Sequence, residues 1–323
     1  MSRLAALGDV IDSALEGTIV GSFTKIGYAA RRRALGWSGV ATDLSGQCAV
    51  LTGGSGGIGR AVADDLVSLG AEVHLTSRSA DRAGEAADEI NRKGGSGQAV
   101  GHALDTSDFA SILTFVEMIA GLDGGVDMLL SNAGALSPEY QTDDRGMELT
   151  LSSHLVGPYL LLTEARPYLT DGARVVIMSS GGMYTQQLDV AAIEMSRADY
   201  KGPVAYARAK RGQVEMVTHL APSWAPQVML HSMHPGWVDT PGIESGIPGF
   251  GKVMGPLLRS AEQGADTMVW LAATGGEGAA PGQFWLDREP RRTSYLPGTG
   301  TDDAERDRLI AWLDRAIAPA RGG

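Results

Sequence analysis

One stretch constrains the fold more than any other. It is Thr52-Gly53-Gly54-Ser55-Gly56-Gly57-Ile58-Gly59-Arg60, set between the short apolar run Cys48 to Thr52 and the helical pattern Ala61 to Leu69. Clustered glycines let a backbone turn sharply and approach a bulky anion, and a helix start offers that anion unpaired N–H groups and the positive end of its dipole. Strand, glycine turn and helix in that order predict a βα unit built to hold a dinucleotide pyrophosphate. No Lys-Ser or Lys-Thr follows the glycines, which excludes the P-loop form of such a turn.

The rest of the chain agrees. From about residue 46 to 290, short apolar runs alternate with longer helical patterns, the mark of a parallel sheet covered on both faces. Strands are expected at Cys48 to Thr52, Glu72 to Ser77, Gln98 to Leu104, Val126 to Ser131, Arg174 to Ser179, Val228 to Met233 and Gln283 to Leu286. The expectation is a Rossmann-type, doubly wound α/β fold with a seven-stranded, mainly parallel sheet. In Ser107 to Ala120, Phe109, Ile112, Leu113, Val116 and Ile119 fall at helical spacing behind Ser107 as cap, and Ser260 to Ala273 repeats the pattern. Residues 1–45 form an arm and 291–323 a tail, in which Glu305 to Ile317 reads as a capping helix with Leu309, Ile310, Leu313 and Ile317 on one face. The arm carries Leu15 to Ile26 followed by Arg31, Arg32 and Arg33. That pattern suits either peripheral contact with an anionic membrane or an amphipathic segment packed on its own domain with solvated arginines.

Charge narrows the partners. Lys and Arg total 27 against 38 Asp and Glu, a formal net charge of −11, so the surface repels phosphate backbones and nucleic acid is not an expected partner. The single cysteine, Cys48, supplies neither an internal disulfide nor a Cys-rich zinc site. No apolar run approaches the roughly 18 residues that would span a bilayer, and the acids in the first residues do not suit a signal peptide, so a cytoplasmic location is expected. His231 and His234 are separated by an odd number of strand positions and face opposite ways, which argues against a metal pair.

The end of the second strand reads Leu75-Thr76-Ser77-Arg78. An acid there would accept the ribose hydroxyls of NAD(H). Its absence, with Arg78 suited to a phosphate, favours NADP(H), although Arg78 could simply face solvent; Arg60 and Arg82 are less well placed. Farther on, Tyr206-Ala207-Arg208-Ala209-Lys210 puts a phenol and an amine on one helical face, after Ser179-Ser180 at a strand end and before Pro235-Gly236-Trp237-Val238-Asp239-Thr240. A free phenol has a pKa of about 10, so proton exchange near neutrality calls for a nearby cation.

The glycine spacing and the ordered Ser, Tyr and Lys resemble the short-chain dehydrogenase/reductase family. Ser180-Gly181-Gly182-Met183, the long insertion before Tyr206, Met233 to Trp237, Glu262 to Met268, Phe284 to Arg288 and Phe23-Thr24-Lys25 with Gly27-Tyr28 extend the likeness over almost the whole chain, to one branch of that family. The resemblance implies Tyr206 as general acid/base, Lys210 lowering its pKa and bonding the nicotinamide ribose, and Ser180, with Ser179 as the alternative, holding the substrate oxygen. Tyr184 and Tyr200 have no lysine four residues on and are rejected as the base. For the cofactor the resemblance implies Thr52, Gly53, Ser55, Gly57, Ile58 and Gly59 at the turn, and Asp105 with Asn132-Ala133-Gly134 around the adenine. Pro235 and Gly236 are implied beside the nicotinamide, and Thr240 near the carboxamide or phosphates. One departure stands out: His154, in His154-Leu155-Val156-Gly157, replaces an Asn whose backbone carbonyl holds a relay water. His154 is expected either to serve the relay through its carbonyl, with a ring that titrates near neutrality, or to be a polar residue satisfied within the helices.

The resulting expectation is hydride transfer between NADP(H) and a lipophilic carbonyl compound or its secondary or primary alcohol, mainly as reduction. Met183, Tyr184, Trp237 and residues 241–255 are expected to border the substrate, and a homo-oligomer is compatible with the sequence. A nucleotide-binding regulatory or scaffold protein with an idle site is the alternative, resting on His154 alone.

Overall fold

A computed structural model describes residues 12–13, 15–16, 18–239, 254–295 and 298–322. Thr240 and residues 241–253, expected near the cofactor and substrate, lie outside the described residues, as does the start of the arm through residue 11. The order of elements is α1 (Ile19–Phe23), α2 (Lys25–Ala34), β1 (Cys48–Thr52), α3 (Gly57–Ser68), β2 (Glu72–Ser77), α4 (Ala80–Lys93), β3 (Gln98–Ala103), α5 (Phe109–Ala120) and β4 (Val126–Ser131). A helix over 149–165, here α6, follows, then β5 (Leu169–Met178), α7 (Gly202–Trp224), β6 (Val228–Met233), α8 (Ala261–Thr274), β7 (Phe284–Leu286), β8 (Glu289–Arg291) and α9 (Asp303–Ile317).

The strands form one sheet in the order β3-β2-β1-β4-β5-β6-β7-β8, parallel except for β8. Strand order reverses between β1 and β4, and in open α/β sheets ligands bind in the crevice outside the carboxyl ends of the strands at such a reversal. Successive residues of each central strand face opposite layers. Val50, Leu129, Val175 and Ile177 pack with α5, α6, α7 and α9, whereas Leu51, Met128, Leu130, Val176 and Met178 pack with α3, α4 and α8. This two-sided burial explains why the strands read as nearly continuous apolar runs.

Several local expectations are corrected. The sheet has eight strands, because Asp287 and Arg288, both with φ of 55°, fold Glu289–Arg291 back as an antiparallel edge. Strand β5 begins at Leu169 and ends at Met178, so Ser179 and Ser180 both lie in the turn beyond it. Helix α5 is capped by the Asp108 carboxylate, which accepts from the Ala110 N–H, and Ser107 instead serves Asp105. Helix α8 has the expected Ser260 cap, completed by Gln263. On α9, Leu309, Leu313 and Ile317 are buried, and the Tyr159 hydroxyl of α6 donates to Asp314 at 2.7 Å.

The basic run of the arm is not a uniform solvated face. Arg32 and Arg33 are exposed, but Arg31 is buried against Asp287, 2.8 Å away. No helix of the described residues is long and apolar enough to cross a membrane.

Candidate active site

The glycine turn and the loop after β4 are stitched together at the strand reversal. Thr52 Oγ1 accepts from the N–H groups of Asn132 and Ala133, both at 3.0 Å, and the Asn132 amide donates to the carbonyls of Thr52 and Gly53 at 3.0 and 3.1 Å. This crossing is too tight for side chains: a Cβ on Gly59 would stand 2.2 Å from the Gly53 carbonyl oxygen. Helix α3 then starts at Gly57 behind Gly56, with no side chain capping its first N–H groups. Ser55 and Ile58 are half-buried on the same turn. An uncapped helix start against a glycine-rich turn is a fitting cradle for a dinucleotide pyrophosphate.

Around it, Arg78 is exposed at the end of β2 and makes no hydrogen bond or ion pair to other described residues, whereas Arg60 is held by Glu89 and Asp64. Asp105 is half-buried, with one carboxylate oxygen taking the backbone and hydroxyl protons of Ser107.

The candidate reacting groups gather at the carboxyl ends of β4 and β5. Helix α7 begins at Gly202, with Pro203 in its first turn, and carries Tyr206 and Lys210 one turn apart on its inner side, Lys210 Nζ lying 5.5 Å from the Tyr206 ring centre. Ser180 opens the turn after β5, where its Oγ accepts from the Gly182 N–H, and its hydroxyl lies near enough to the Tyr206 phenol to favour the phenolate. The adjacent Ser179 is separated from this role: it is buried, and its hydroxyl donates to the Lys210 carbonyl at 2.8 Å.

The structure does not show the expected acidification of Tyr206 by Lys210. Burial pushes the Tyr206 phenol up to about 12, against a smaller opposing pull from the nearby Ser180 hydroxyl. Burial also drives the Lys210 ammonium down to about 7, and Nζ donates to the Met178 carbonyl at 2.8 Å instead of reaching the phenol.

His154 sits on a π-helical turn, 152–156, inside α6. Its Nδ1 donates to the Thr150 carbonyl at 2.9 Å, leaving Nε2 as a lone pair that is buried without a partner. A Cβ on Gly134 would lie 2.9 Å from that Nε2 and 3.7 Å from Lys210 Nζ, so the imidazole and the lysine face the same small residue. Titration near neutrality is overturned: burial, then the Lys210 charge, push the His154 imidazole down to about 3. Its carbonyl accepts from the Gln213 amide at 2.5 Å.

Other candidate side chains are engaged elsewhere. The Tyr184 hydroxyl donates to the Arg292 carbonyl, and that of Tyr200 to the Ser137 carbonyl. Met183, expected beside substrate, is buried with Val214 and Phe284 as core. Among the described residues, no group of three His, Cys, Asp or Glu side chains gathers as a metal site.

Beyond β6, Pro235 and Gly236 are gripped by a residue that sequence reasoning missed. Gly236 has a φ of 78°, and a Cβ there would stand 2.4 Å from Arg259 Nε. Arg259 is buried and donates to the carbonyls of Pro235, Ser22 and Phe23 and to both oxygens of Asp287. The signal available in the sequence was the pairing of arm and β7-turn segments in the family likeness, which no spacing rule connects.

Fold and site together define an oxidoreductase that uses a nicotinamide dinucleotide. The sequence profile described as short chain dehydrogenase matches residues 47–246. The chain is 35% identical over 297 residues to Dehydrogenase/reductase SDR family member 12 of Homo sapiens, covering 91% of this chain and 93% of that one. It is 32% identical to DnrU of Streptomyces sp. (strain C5), named as a candidate daunorubicin C-13 ketoreductase, over 86% of this chain and 94% of that one. Among solved structures, a blue fluorescent protein from a metagenomic library, in complex with NADPH, superposes with a TM-score of 0.61 at 26% identity, over 75% of this chain and 96% of that one. The chain belongs to the short-chain dehydrogenase/reductase family, on the branch that includes the human relative. It is an NAD(P)-dependent oxidoreductase acting on CH–OH and carbonyl groups of small molecules.

Proposed function

We propose that this enzyme is an NADP(H)-dependent reductase of lipophilic carbonyl compounds, reversible on secondary or primary alcohols, with Tyr206 as general acid/base. The observation that carries the reading is the Tyr206 phenol near Ser180 and beside the buried Lys210, on the sheet rim that also holds the glycine turn.

The nicotinamide supplies or accepts the hydride when bound. The chain's own groups do the rest. Ser180 Oγ donates a hydrogen bond to the carbonyl oxygen and orients it. Tyr206, a phenol pushed up to about 12, is protonated at neutral pH and gives its proton to that oxygen as charge develops, which favours the reductive direction. Lys210 bonds the nicotinamide ribose and, while charged, favours the return of a phenolate. His154 is a positioning residue whose Nε2 lone pair accepts a hydrogen bond from the Lys210 ammonium once that side chain leaves the Met178 carbonyl, with no transfer of the proton.

Thr52, Gly53, Ser55, Gly57, Ile58 and Gly59 hold the pyrophosphate, Asp105 and Asn132 to Gly134 border the adenine, and Pro235, Gly236 and Thr240 the nicotinamide. Arg78, exposed and without a partner among the described residues, takes the 2′-phosphate, a reading supported by the NADPH complex of the structural relative. Lipophilic substrates are supported by Phe23, Tyr184 and Trp237 near the Ser180 turn and by the ketoreductase name of a relative. Residues 46–290 serve as the catalytic domain, with 1–45 as the arm and 291–323 as the tail.

The test is NADPH and NADH consumption against a panel of aldehydes and ketones by the wild type and Tyr206→Phe. Turnover with NADPH that falls roughly 10²- to 10⁴-fold in the variant is expected. Undiminished turnover in the variant refutes the proton donor, and preference for NADH refutes the cofactor assignment.

A further inference from the structure

We infer that the N-terminal arm is a wall of the reaction site, with Phe23 the side chain that limits substrate bulk beside Ser180 and Arg259 the positioning residue that keeps it there. This rests on the functional reading above and adds a specificity determinant to it.

Phe23 ends α1, yet its ring lies between the carboxyl ends of two central strands. On the β5 side, a Cβ on Gly181, next to Ser180, would stand only 2.7 Å from Phe23 Cε2. On the β6 side, the ring meets Trp237 edge to face at 5.8 Å and His234 at 4.6 Å. The ring therefore bridges the serine turn and the Pro235–Trp237 turn, the two segments between which a carbonyl substrate would enter. Glycine at 181 is what lets an aromatic ring come so close to the backbone next to the serine.

The arm backbone is locked in that place. The Trp237 N–H donates to the Phe23 carbonyl at 2.8 Å, and Arg259 Nε donates to the same oxygen at 3.0 Å. Arg259 also holds the Ser22 and Pro235 carbonyls, at 2.9 and 3.2 Å, so one guanidinium joins the arm directly to the turn on the nicotinamide side. Arg31 repeats the grip with the Ser22 carbonyl and hydroxyl, at 3.0 and 2.9 Å, and both guanidinium groups meet on Asp287. A planar fork with five fixed donors can satisfy carbonyls from separate segments at once, which a lysine cannot. The arrangement orients a hydrophobic wall; it moves no proton.

The experiment compares cyclohexanone with the larger, two-ring decalone on the full chain. Two ratios are measured for the wild type, Phe23→Ala and Arg259→Lys: relative kcat/KM with NADPH, and relative affinity of the NADPH-loaded protein for the two ketones by calorimetry. Thermal unfolding establishes that each variant is folded. Phe23→Ala is expected to move both ratios toward decalone by roughly tenfold, and Arg259→Lys to move them the same way with no further gain in the double variant. Ratios that stay at the wild-type value in folded Phe23→Ala overturn the inference, whatever Arg259→Lys does. If the wild type turns over neither ketone with either cofactor, the functional reading fails instead, and the affinity ratio alone decides whether Phe23 is the wall.

Discussion

Replacing Lys210 with methionine isolates what the proposed reaction site costs the fold. Lys210 is buried, and its ammonium is driven from 10.5 down to about 7. Between those values the unfolded chain holds a proton that the folded chain does not, so stability rises with pH, and the penalty becomes complete only below the folded value. At about 1.4 kcal/mol per unit, lowering the pH from about 9.5 to about 7 removes about 3 kcal/mol through this one group. Methionine keeps an unbranched chain of similar reach but has no charge to desolvate. Its loss of the bond to the Met178 carbonyl costs about 1 kcal/mol at every pH. The variant should therefore gain on the wild type as pH falls, the difference between them changing by about 3 kcal/mol across that window. Urea unfolding of both proteins at the two pH values, followed by tryptophan emission, measures it. A difference that changes by less than about 1 kcal/mol would show that the folded protein keeps this ammonium charged and solvated or otherwise compensated, and the burial argument would fail.

Three further outcomes follow from the same geometry. Arg78→Asp should lower the NADPH-to-NADH affinity ratio by at least about tenfold, because a charge-assisted phosphate contact is replaced by repulsion; an unchanged ratio in fluorescence titrations removes Arg78 from the 2′-phosphate. Ser180→Ala should lower kcat roughly 10²-fold with little change in unfolding midpoint, whereas Ser179→Ala should cost about 1 kcal/mol of stability through its lost bond to the Lys210 carbonyl; the reverse pattern exchanges the two serines. His154→Asn should leave the pH–rate profile superimposable between about pH 5 and 8, since an imidazole pushed down to about 3 carries no charge there, and a displaced limb would mean that the ring is protonated during turnover.

Much of the scaffold was legible because both faces of its strands are buried. Cys48–Thr52, Glu72–Ser77, Val126–Ser131 and Val228–Met233 match their apolar runs end to end. Strand β8 was not legible: Glu289-Pro290-Arg291 is polar and short, tolerates proline only as an edge, and turns on Asp287 and Arg288 rather than on an Asn-Gly or Asp-Gly pair. The preference for Ser180 over Ser179 came from the family pattern; that Ser179 is committed to the helix backbone through the Lys210 carbonyl is a contact no spacing in the sequence shows. Charge states were the least legible, because a sequence shows that His154 and Lys210 are ionisable but not that both are buried beside Gly134. Arg31 was misjudged for a related reason: its partner Asp287 lies 256 positions away.

The cluster that secures the arm is better understood as a device for geometry than for stability. Arg31, Arg259 and Arg291 face Asp12, Glu16 and Asp287, so the charges balance, but burying ions in pairs seldom yields more stability than packed apolar side chains would. Asp287 adds to the cost, since a φ of 55° is disfavoured for a residue with a Cβ. What apolar packing could not supply is direction. Ser22 and Phe23 at the end of α1, Pro235 in the turn after β6 and Leu286 at the end of β7 each present a carbonyl where elements end, and each accepts a guanidinium hydrogen bond. Buried carbonyls without donors would destabilise that junction, and a greasy contact would let the arm slide by a residue. With the forks in place the register of Ser22 and Phe23 is fixed by hydrogen bonds to the turn after β6, so any substitution that frees the arm also changes the shape of the surface beside Ser180.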